Sequence, residues 1–167
     1  CDTPKATFTW DEPSWSPESQ RIVLRVNVNG QRDRGNLALI DLANPQPLIL
    51  TNPTLNRTSA NALATWLDDT HFVYQSDESG FDAVGIYALE THTTRWVFET
   101  KSSITHAEVL EIDNTKRLFI TEHHATQDTL HLVDPKTGDV LQSDHLKGVV
   151  EHLGTIENGD GLIQMDS

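Results

Sequence analysis

Carboxylates crowd one short stretch of the chain. Asp77, Glu78 and Asp82 surround Gly80 within six residues. Oxygen ligands at such spacing suit a hard cation, but the stretch lacks the full spacing of an EF-hand loop. The two interpretations are a metal site and a solvated acidic turn, and we favour the turn. We therefore predict no metal and no cofactor, and we place Asp77 and Asp82 on a binding surface.

Histidines form a second group of side chains that can do chemistry. His123 and His124 are adjacent, and His131 follows on the next predicted strand. Successive side chains of a strand point to opposite faces, so the adjacent pair cannot ligate one ion without a bulge. Eight histidines titrate near neutral pH, which favours a pH-responsive surface over a zinc site. His123 and His124 join the predicted binding surface.

Two tryptophans complete that surface. Trp15 and Trp66 each precede a short polar turn and a β-rich run. Exposed at a pore, they would stack on a ligand; as residues at equivalent places of a repeat, they pack between neighbouring units, which is the interpretation we favour. A third alternative is a small barrel whose cavity Trp10, Trp15 and Trp66 would line.

Signatures of catalysis are missing from the sequence. Its single cysteine is Cys1, no serine stands in a Gly-x-Ser-x-Gly motif, and the carboxylates show no signature pairing. We predict that the chain is not an enzyme.

Composition narrows the class of partner. The chain has 167 residues and a formal charge of −13, which repels phosphate backbones, so we expect no nucleic acid partner. Cys1 has two explanations, a lipid-bearing mature terminus of a bacterial lipoprotein or an arbitrary boundary in a longer protein, and we favour the boundary. Partner identity and oligomeric state stay open, with a homo-oligomer as one alternative.

The polar and aromatic groups lie on a repeated β-pattern. The first apolar residues after successive turns are Ile22, Phe72, Leu118 and Leu162, giving steps of 50, 46 and 44 residues. Periods of roughly 40 to 50 residues with strand-like content are typical of propeller blades of about four strands. We predict one all-β domain, 1–167, of antiparallel four-stranded meanders, a partial β-propeller of about three and a half blades. A small β-barrel or a sandwich is the alternative. The predicted units are 6–51, 58–100, 103–144 and 148–167.

Two motifs resemble a known family. Pro13-Ser-Trp-Ser-Pro-Glu-Ser-Gln-Arg-Ile22 resembles the P-x-W-S-P-D-G-x-x-I start of WD40-like repeats in TolB-like proteins and in propeller domains of prolyl oligopeptidase-type enzymes. Ser76-Asp-Glu-Ser-Gly80, followed by Gly85-Ile-Tyr-Ala-Leu89, resembles the second half of the same repeat. Glu18-Ser19 stands where the repeat has Asp-Gly, and the third unit lacks the tryptophan.

The resemblance implies a function class. TolB-like domains suggest a protein- or peptide-binding module of an exported bacterial protein, in the periplasm or cell envelope. It could be the sensing portion of a membrane-anchored regulator or a lipoprotein. The alternatives are the accessory propeller of a prolyl oligopeptidase-type serine peptidase and a barrel for a small ligand.

Overall fold

A computed structural model describes residues 6–8, 13–28, 35–50, 62–155 and 161–166. Within these ranges every regular element is a β-strand. None of the described residues forms a helix that could cross a membrane. Cys1, Trp10 and the segment that links the first two predicted units lie outside the described residues.

The described strands form four antiparallel sheets, which we number as blades in chain order. Blade 1 contains β1 (Ala6–Phe8), β2 (Ser14–Trp15), β3 (Arg21–Val28), β4 (Gly35–Asp41) and β5 (Asn44–Ile49). Blade 2 contains β6 (Ala62–Trp66), β7 (His71–Ser76), β8 (Asp82–Ala88) and β9 (Thr93–Thr100). Blade 3 contains β10 (Ser103–Ile112), β11 (Thr115–His124), β12 (Gln127–Val133) and β13 (Val140–His145). Blade 4 contains β14 (Val149–Thr155) and β15 (Gly161–Asp166).

The first strand of blade 1 is split in two. β1 pairs with the end of β3, through Phe8 opposite Val26, and β2 pairs with its beginning, through Trp15 opposite Ile22. Both segments lie on the edge of β3 that faces away from β4. The first three blades therefore follow the same meander order, with blade 1 using two short pieces for its first strand.

The register shows that the repeat is structural. In the first three blades, the residue that opens the periodic pattern lies on the second strand, opposite the penultimate or last residue of the third. These cross-strand pairs are Ile22 with Ile40, Phe72 with Tyr87, and Leu118 with Val133. The predicted all-β architecture of antiparallel propeller blades is confirmed.

Apolar cores lie between neighbouring blades. β7 is buried on both faces, with Phe72 and Tyr74 packed in a cluster that includes Val23 of blade 1, while Val73 packs in a cluster with Leu118 of blade 3. Side chains of a strand alternate between faces, so one strand can serve two cores. Further along, Leu130 and Val150 join blade 3 to blade 4. Burial of these two-sided sheets holds the blades side by side.

The alternative of a barrel or a sandwich is wrong. The four sheets have separate hydrogen-bond ladders, and no ladder in the described ranges closes a sheet on itself. Each blade instead packs face to face with the next one. The four-residue aromatic cluster of Trp66, Phe72, Tyr87 and Tyr74 fills the first of these interfaces, with Phe72 and Tyr87 stacked at 5.1 Å.

Antiparallel strands send the connecting segments to two opposite ends of the blades. The groove end is formed by residues 77–81, 101–102, 125–126 and 146–148. The tryptophan end is formed by residues 16–20, 42–43, 67–70, 89–92, 113–114 and 134–139. Loops at the ends of a rigid sheet scaffold are where binding residues concentrate.

Candidate functional site: a groove at one end of the blades

A shallow, open groove of about 320 Å³ lies at the groove end of blade 2. One wall is the loop between β7 and β8, and the other is the corner between β9 and β10. Its lining residues are Asp77, Gly80, Phe81, Asp82, Thr100, Lys101, Ser102 and Ser103. The groove thus combines carboxylates, hydroxyls, one ammonium and one aromatic ring.

The β7–β8 wall is shaped by its turn residues. Ser76 is buried, and its Oγ accepts a hydrogen bond from the Glu78 amide at 3.1 Å. Gly80 donates its amide to the Asp77 carbonyl at 3.0 Å and has a φ of 104°, a conformation that glycine adopts without strain. The turn leaves the Phe81 side chain 47% exposed at the groove, where a large apolar group can contact a ligand.

The same wall concentrates negative charge. Burial raises the pKa of Glu78, and the neighbouring charge of Asp77 raises that pKa further. A carboxylate whose pKa is raised in this way is destabilised in its ionised form. A cation arriving at this wall would relieve that repulsion.

Hydrogen bonds connect the β9–β10 wall to a carboxylate of the next blade. The Ser102 amide donates to Thr100 Oγ1 at 3.0 Å, and Thr100 Oγ1 in turn donates to Glu122 Oε1. Ser102 Oγ lies 3.2 Å from His124 Nδ1, and His124 Nε2 lies 3.3 Å from Glu122 Oε2. Both routes from the wall end on Glu122 of β11.

Glu122 is the centre of a wider hydrogen-bond network. Its Oε2 also lies 3.1 Å from His131 Nε2, and His131 Nδ1 lies 2.8 Å from Ser143 Oγ. Partial burial raises the pKa of Glu122, but hydrogen bonds from Thr100, His131 and Ser102 lower it by more. The net effect is a lowered pKa of Glu122. Glu122 is therefore held as a carboxylate at neutral pH.

Two aspartates at equivalent places link consecutive blades. Asp82 begins β8, and its Oδ2 accepts the Ile104 amide of blade 3 at 3.2 Å. Asp128, near the start of β12, uses Oδ2 to accept the Val150 amide of blade 4 at 2.6 Å. Both bonds span 22 residues, and the two aspartates are 128 − 82 = 46 residues apart. We call this recurring contact the aspartate link.

The residue opposite each aspartate differs between the blades. His123 is paired with Asp128 in the sheet register, and its Nδ1 lies 2.7 Å from Asp128 Oδ1. Extending the β7–β8 register by one residue puts Asp77 opposite Asp82. Blade 3 therefore has an imidazole beside its buried aspartate where blade 2 has a second carboxylate at the groove.

The structure separates the six predicted surface residues. Asp77 and Asp82 line the groove, and His124 contacts its wall. His123 lies on the other face of β11 and binds Asp128 instead, as alternation along a regular strand requires. The two tryptophans lie at the tryptophan end of the blades, far along the strands from the groove.

Trp66 and Trp15 occupy matching places with different exposure. Trp66 is 8% exposed and packs between blades 1 and 2, where its Nε1 donates to the Ser14 carbonyl at 2.9 Å. Trp15 is 50% exposed on β2. Their equivalence is clear from the register, since each lies opposite the residue that opens the periodic pattern, Phe72 for Trp66 and Ile22 for Trp15.

The described part of the chain contains no group of three His, Cys, Asp or Glu side chains arranged to hold a metal ion. His124 and His131 approach the same carboxylate oxygen of Glu122. This arrangement supports hydrogen bonding among the three side chains.

Several contributors to the site were not singled out from the sequence, among them Thr100, Ser102, Glu122 and Asp128. The step of 46 residues between Asp82 and Asp128 matches the step between Phe72 and Leu118, so the repeat itself could have revealed the aspartate link. Glu122 and Ser102 occupy no repeated motif, and their contact depends on how blades 2 and 3 pack. Three-dimensional packing was needed to find them.

Comparisons with known proteins define the fold. The sequence matches no established protein-family profile, and no characterised protein sequence matches it significantly. Among solved structures, TolB from Acinetobacter baumannii is 19% identical over 90% of this chain and 36% of its own, with a TM-score of 0.66. An oligogalacturonate lyase in complex with manganese is 12% identical over 90% and 45%, with a TM-score of 0.64. A prolyl endopeptidase is 12% identical over 88% and 21%, with a TM-score of 0.66.

These similarities establish a class. The chain has a β-propeller fold, and its blades are similar in structure to those of TolB. It spans between about a fifth and a half of the solved chains just compared. The similarity therefore concerns the fold of the blades.

Proposed function

We propose that the chain is a non-enzymatic, protein- or peptide-binding propeller module that holds a cationic side chain of its partner in the groove at the end of blade 2. The observation that carries this proposal is the composition of the groove, in which Asp77 and Asp82 lie together with an exposed Phe81. A carboxylate pairs with an ammonium or guanidinium group, and an aromatic face attracts the same cation.

Charge supports the same partner chemistry. The chain carries 25 acidic and 12 basic residues, so its field attracts cationic partners and speeds their encounter. The raised pKa of Glu78, caused by burial and by Asp77, supports a local preference for positive charge. Lys101 on the opposite wall disfavours a second cation, so one cationic side chain per groove is the expected stoichiometry.

A labelled peptide tests the proposal. The probe is a fluorescein-labelled pentapeptide with a central arginine between glycines, and its neutral twin has citrulline in place of arginine. Fluorescence anisotropy should show binding of the arginine peptide and about two- to fivefold weaker binding by Asp77→Asn, since an exposed ion pair contributes little more than that. Binding should also weaken as salt concentration rises.

Matched variants separate the groove from general charge. Asp139→Asn removes the same charge from an exposed position at the tryptophan end, and it should bind the peptide like the wild type. Phe81→Ala should weaken binding without changing the charge. Equal binding of the arginine and citrulline peptides, or equal losses in Asp77→Asn and Asp139→Asn, would overturn the proposal.

The cellular setting is part of the proposal. The TolB-like fold supports an exported bacterial protein of the periplasm or cell envelope, in which the module senses a partner for a membrane-anchored regulator or belongs to a lipoprotein. Fractionation of cells that express the full-length gene tests the location, and palmitate labelling that is lost in Cys1→Ala tests a lipid anchor. Recovery in the cytosolic fraction would contradict this part of the proposal.

The similarity to peptidases favours a second candidate. A prolyl endopeptidase and an acylaminoacyl peptidase share the fold, and the chain covers 21% and 27% of their lengths. The second candidate is an accessory propeller that filters peptide substrates for a separate hydrolase domain. A Gly-x-Ser-x-Gly motif elsewhere in the same polypeptide, with peptidase activity, would favour it over the sensing module.

A further inference from the structure

The β9–β10 wall of the groove is a short corner between two blades, in which Thr100 is paired with Asp82 in blade 2 and Ser103 is paired with His123 in blade 3. Residues 101–102 connect two strands of different blades, β9 of blade 2 and β10 of blade 3. Lys101 is exposed, and Ser102 is half-buried. The side-chain hydrogen bonds of residues 100–102 act in addition to these backbone pairs and contribute to the width of the groove.

Those hydrogen bonds converge on one side chain. Thr100 links the Ser102 amide to Glu122 Oε1, and His124 links the Ser102 hydroxyl to Glu122 Oε2. Glu122 itself is fixed by His131, which is 9% exposed and is held by Ser143. The side chains of the corner are thus attached to blade 3 through a single carboxylate, in addition to the backbone pairing of Ser103 with His123.

We infer that Glu122 is the positioning residue of the groove: it holds the Thr100–Ser103 wall at the distance that a bound cationic side chain requires. The inference rests on the proposed function and adds a residue that positions the groove wall. Glu122 does not line the groove and acts through Thr100 and His124. A prepositioned wall lowers the entropic cost of binding.

The surroundings of Glu122 are polar and titratable. His124 shares its strand, His131 faces it from β12, and His145 of β13 binds Thr129 beside it. Lys101 and Glu99 belong to the corner and to β9, while Asp77, Glu78 and Asp82 form the opposite wall. Any pH profile of the groove contains contributions from all of these groups, so the test compares variants at each pH.

Isosteric variants of Thr100 give the sharpest test. Thr100→Val keeps the shape and removes the hydroxyl that connects Ser102 to Glu122, whereas Thr100→Ser keeps the hydroxyl and removes a methyl group. We expect Thr100→Val to weaken the arginine peptide about fivefold, the effect of roughly one hydrogen bond, and Thr100→Ser to bind like the wild type. Equal losses in both variants would mean that only packing matters, which overturns the inference.

A charge-matched pair isolates Glu122. Glu122→Gln should weaken the peptide about fivefold, while Glu99→Gln, which removes an exposed charge near the same corner, should not. The pKa of Glu122 is lowered, so in the wild type this side chain becomes neutral only below about pH 4.5. The ratio between the Glu122→Gln and wild-type dissociation constants should therefore approach one only below that pH. A ratio of one at neutral pH would refute the positioning role.

Amide exchange tests the wall without any ligand. In Thr100→Val and Glu122→Gln the amides of Ser102 and Ser103 should exchange about tenfold faster, while amides in the β7 core keep their protection. Unchanged exchange at the wall would overturn the inference even if the peptide binds. Conversely, if Asp77→Asn leaves peptide binding intact while the wall loosens as expected, the groove proposal fails and the positioning of the wall stands.

Discussion

The aspartate link of blade 3 provides a stability prediction that can be worked from distances. Asp128 is fully buried, and its carboxylate accepts the Val150 amide at 2.6 Å and lies 2.7 Å from His123 Nδ1. Val150 is itself 2% exposed, so its amide has no access to water when the acceptor is removed. The perturbation is Asp128→Ala, with Asp128→Asn as the variant that keeps one acceptor oxygen.

The magnitude follows from the kind of bond that is lost. A hydrogen bond to a charged group contributes about 1.5 to 3 kcal/mol, and an unsatisfied buried donor costs a further 1 to 3 kcal/mol. These overlap, so we expect Asp128→Ala to lower the free energy of unfolding by about 3 kcal/mol and Asp128→Asn by about 1 kcal/mol. Asp82→Ala, whose link is 3.2 Å long and less buried, should cost about 1 to 2 kcal/mol.

Urea denaturation followed by tryptophan fluorescence measures these differences, because Trp66 and Trp96 lie in or against the core between blades 1 and 2. Hydrogen exchange of the Val150 amide localises the effect to the link between blades 3 and 4. Asp139→Ala is the control, since Asp139 is exposed. A loss below about 0.5 kcal/mol for Asp128→Ala, within the range of ordinary surface substitutions, would refute the reasoning that the link stabilises the blade interface.

Three further predictions concern backbone, packing and pH. Gly85→Ala should lower the free energy of unfolding by about 1 to 3 kcal/mol, because its Cβ would lie 2.6 Å from Thr94 Cγ2 and 2.9 Å from the Trp96 ring; a neutral effect in calorimetry would show that Trp96 moves freely. Ser19→Gly and Ala125→Gly should each raise the free energy of unfolding by about 0.5 to 1 kcal/mol, since both residues have a positive φ, 56° and 51°. Ala88→Gly, within a strand, should lower it. The opposite order of stabilities in urea denaturation would contradict the turn geometry. Because the pKa of Glu78 is raised, its stabilising contribution is present below pH 4.5 and lost as pH rises through the folded value. Glu78→Gln should therefore be a few tenths of a kcal/mol more stable than the wild type at pH 7 and equal at about pH 3, and a destabilised Glu78→Gln at pH 7 would invert the sign we derive.

Much of the fold could be predicted because turn residues and strand alternation are local sequence patterns. Ser16 begins the turn that follows Trp15. Its buried hydroxyl accepts hydrogen bonds from the amides of Gln20 and Arg21 at 3.3 and 3.1 Å. Ser19 then adopts a positive φ of 56°, at the position where the repeat that this motif resembles has glycine. Strand alternation does the rest, since each blade needs two apolar faces to pack between two neighbours.

Acidic residues near the end of the third strand of each blade follow the repeat less closely than the apolar residues do. Arg21 pairs with Asp41 at 3.2 Å, and Arg117 pairs with Asp134 at 3.6 Å, at equivalent positions of blades 1 and 3. Glu90 has a similar spacing in sequence, yet it lies in the turn after β8, and the register gives the equivalent place to Ala88 opposite His71. Turn lengths differ between blades, so sequence spacing alone misplaces such residues.

The candidate site could be predicted only in part. Asp77 and Asp82 stand out because they are close in sequence, and the structure keeps them on one wall. The opposite wall comes from residues about 20 positions away and is held by Glu122 at a distance of 22 residues from Thr100. Contacts of this kind arise from blade packing, which a periodic pattern does not specify.

Mapping the bound peptide on the full chain by amide chemical shifts tests the central claim most directly. The account predicts that titration with the arginine pentapeptide shifts amides of residues 77–82 and 100–103, and that the citrulline peptide leaves them in place. Shifts centred instead on residues 14–20 and 66–70, around Trp15 and Trp66, would contradict it.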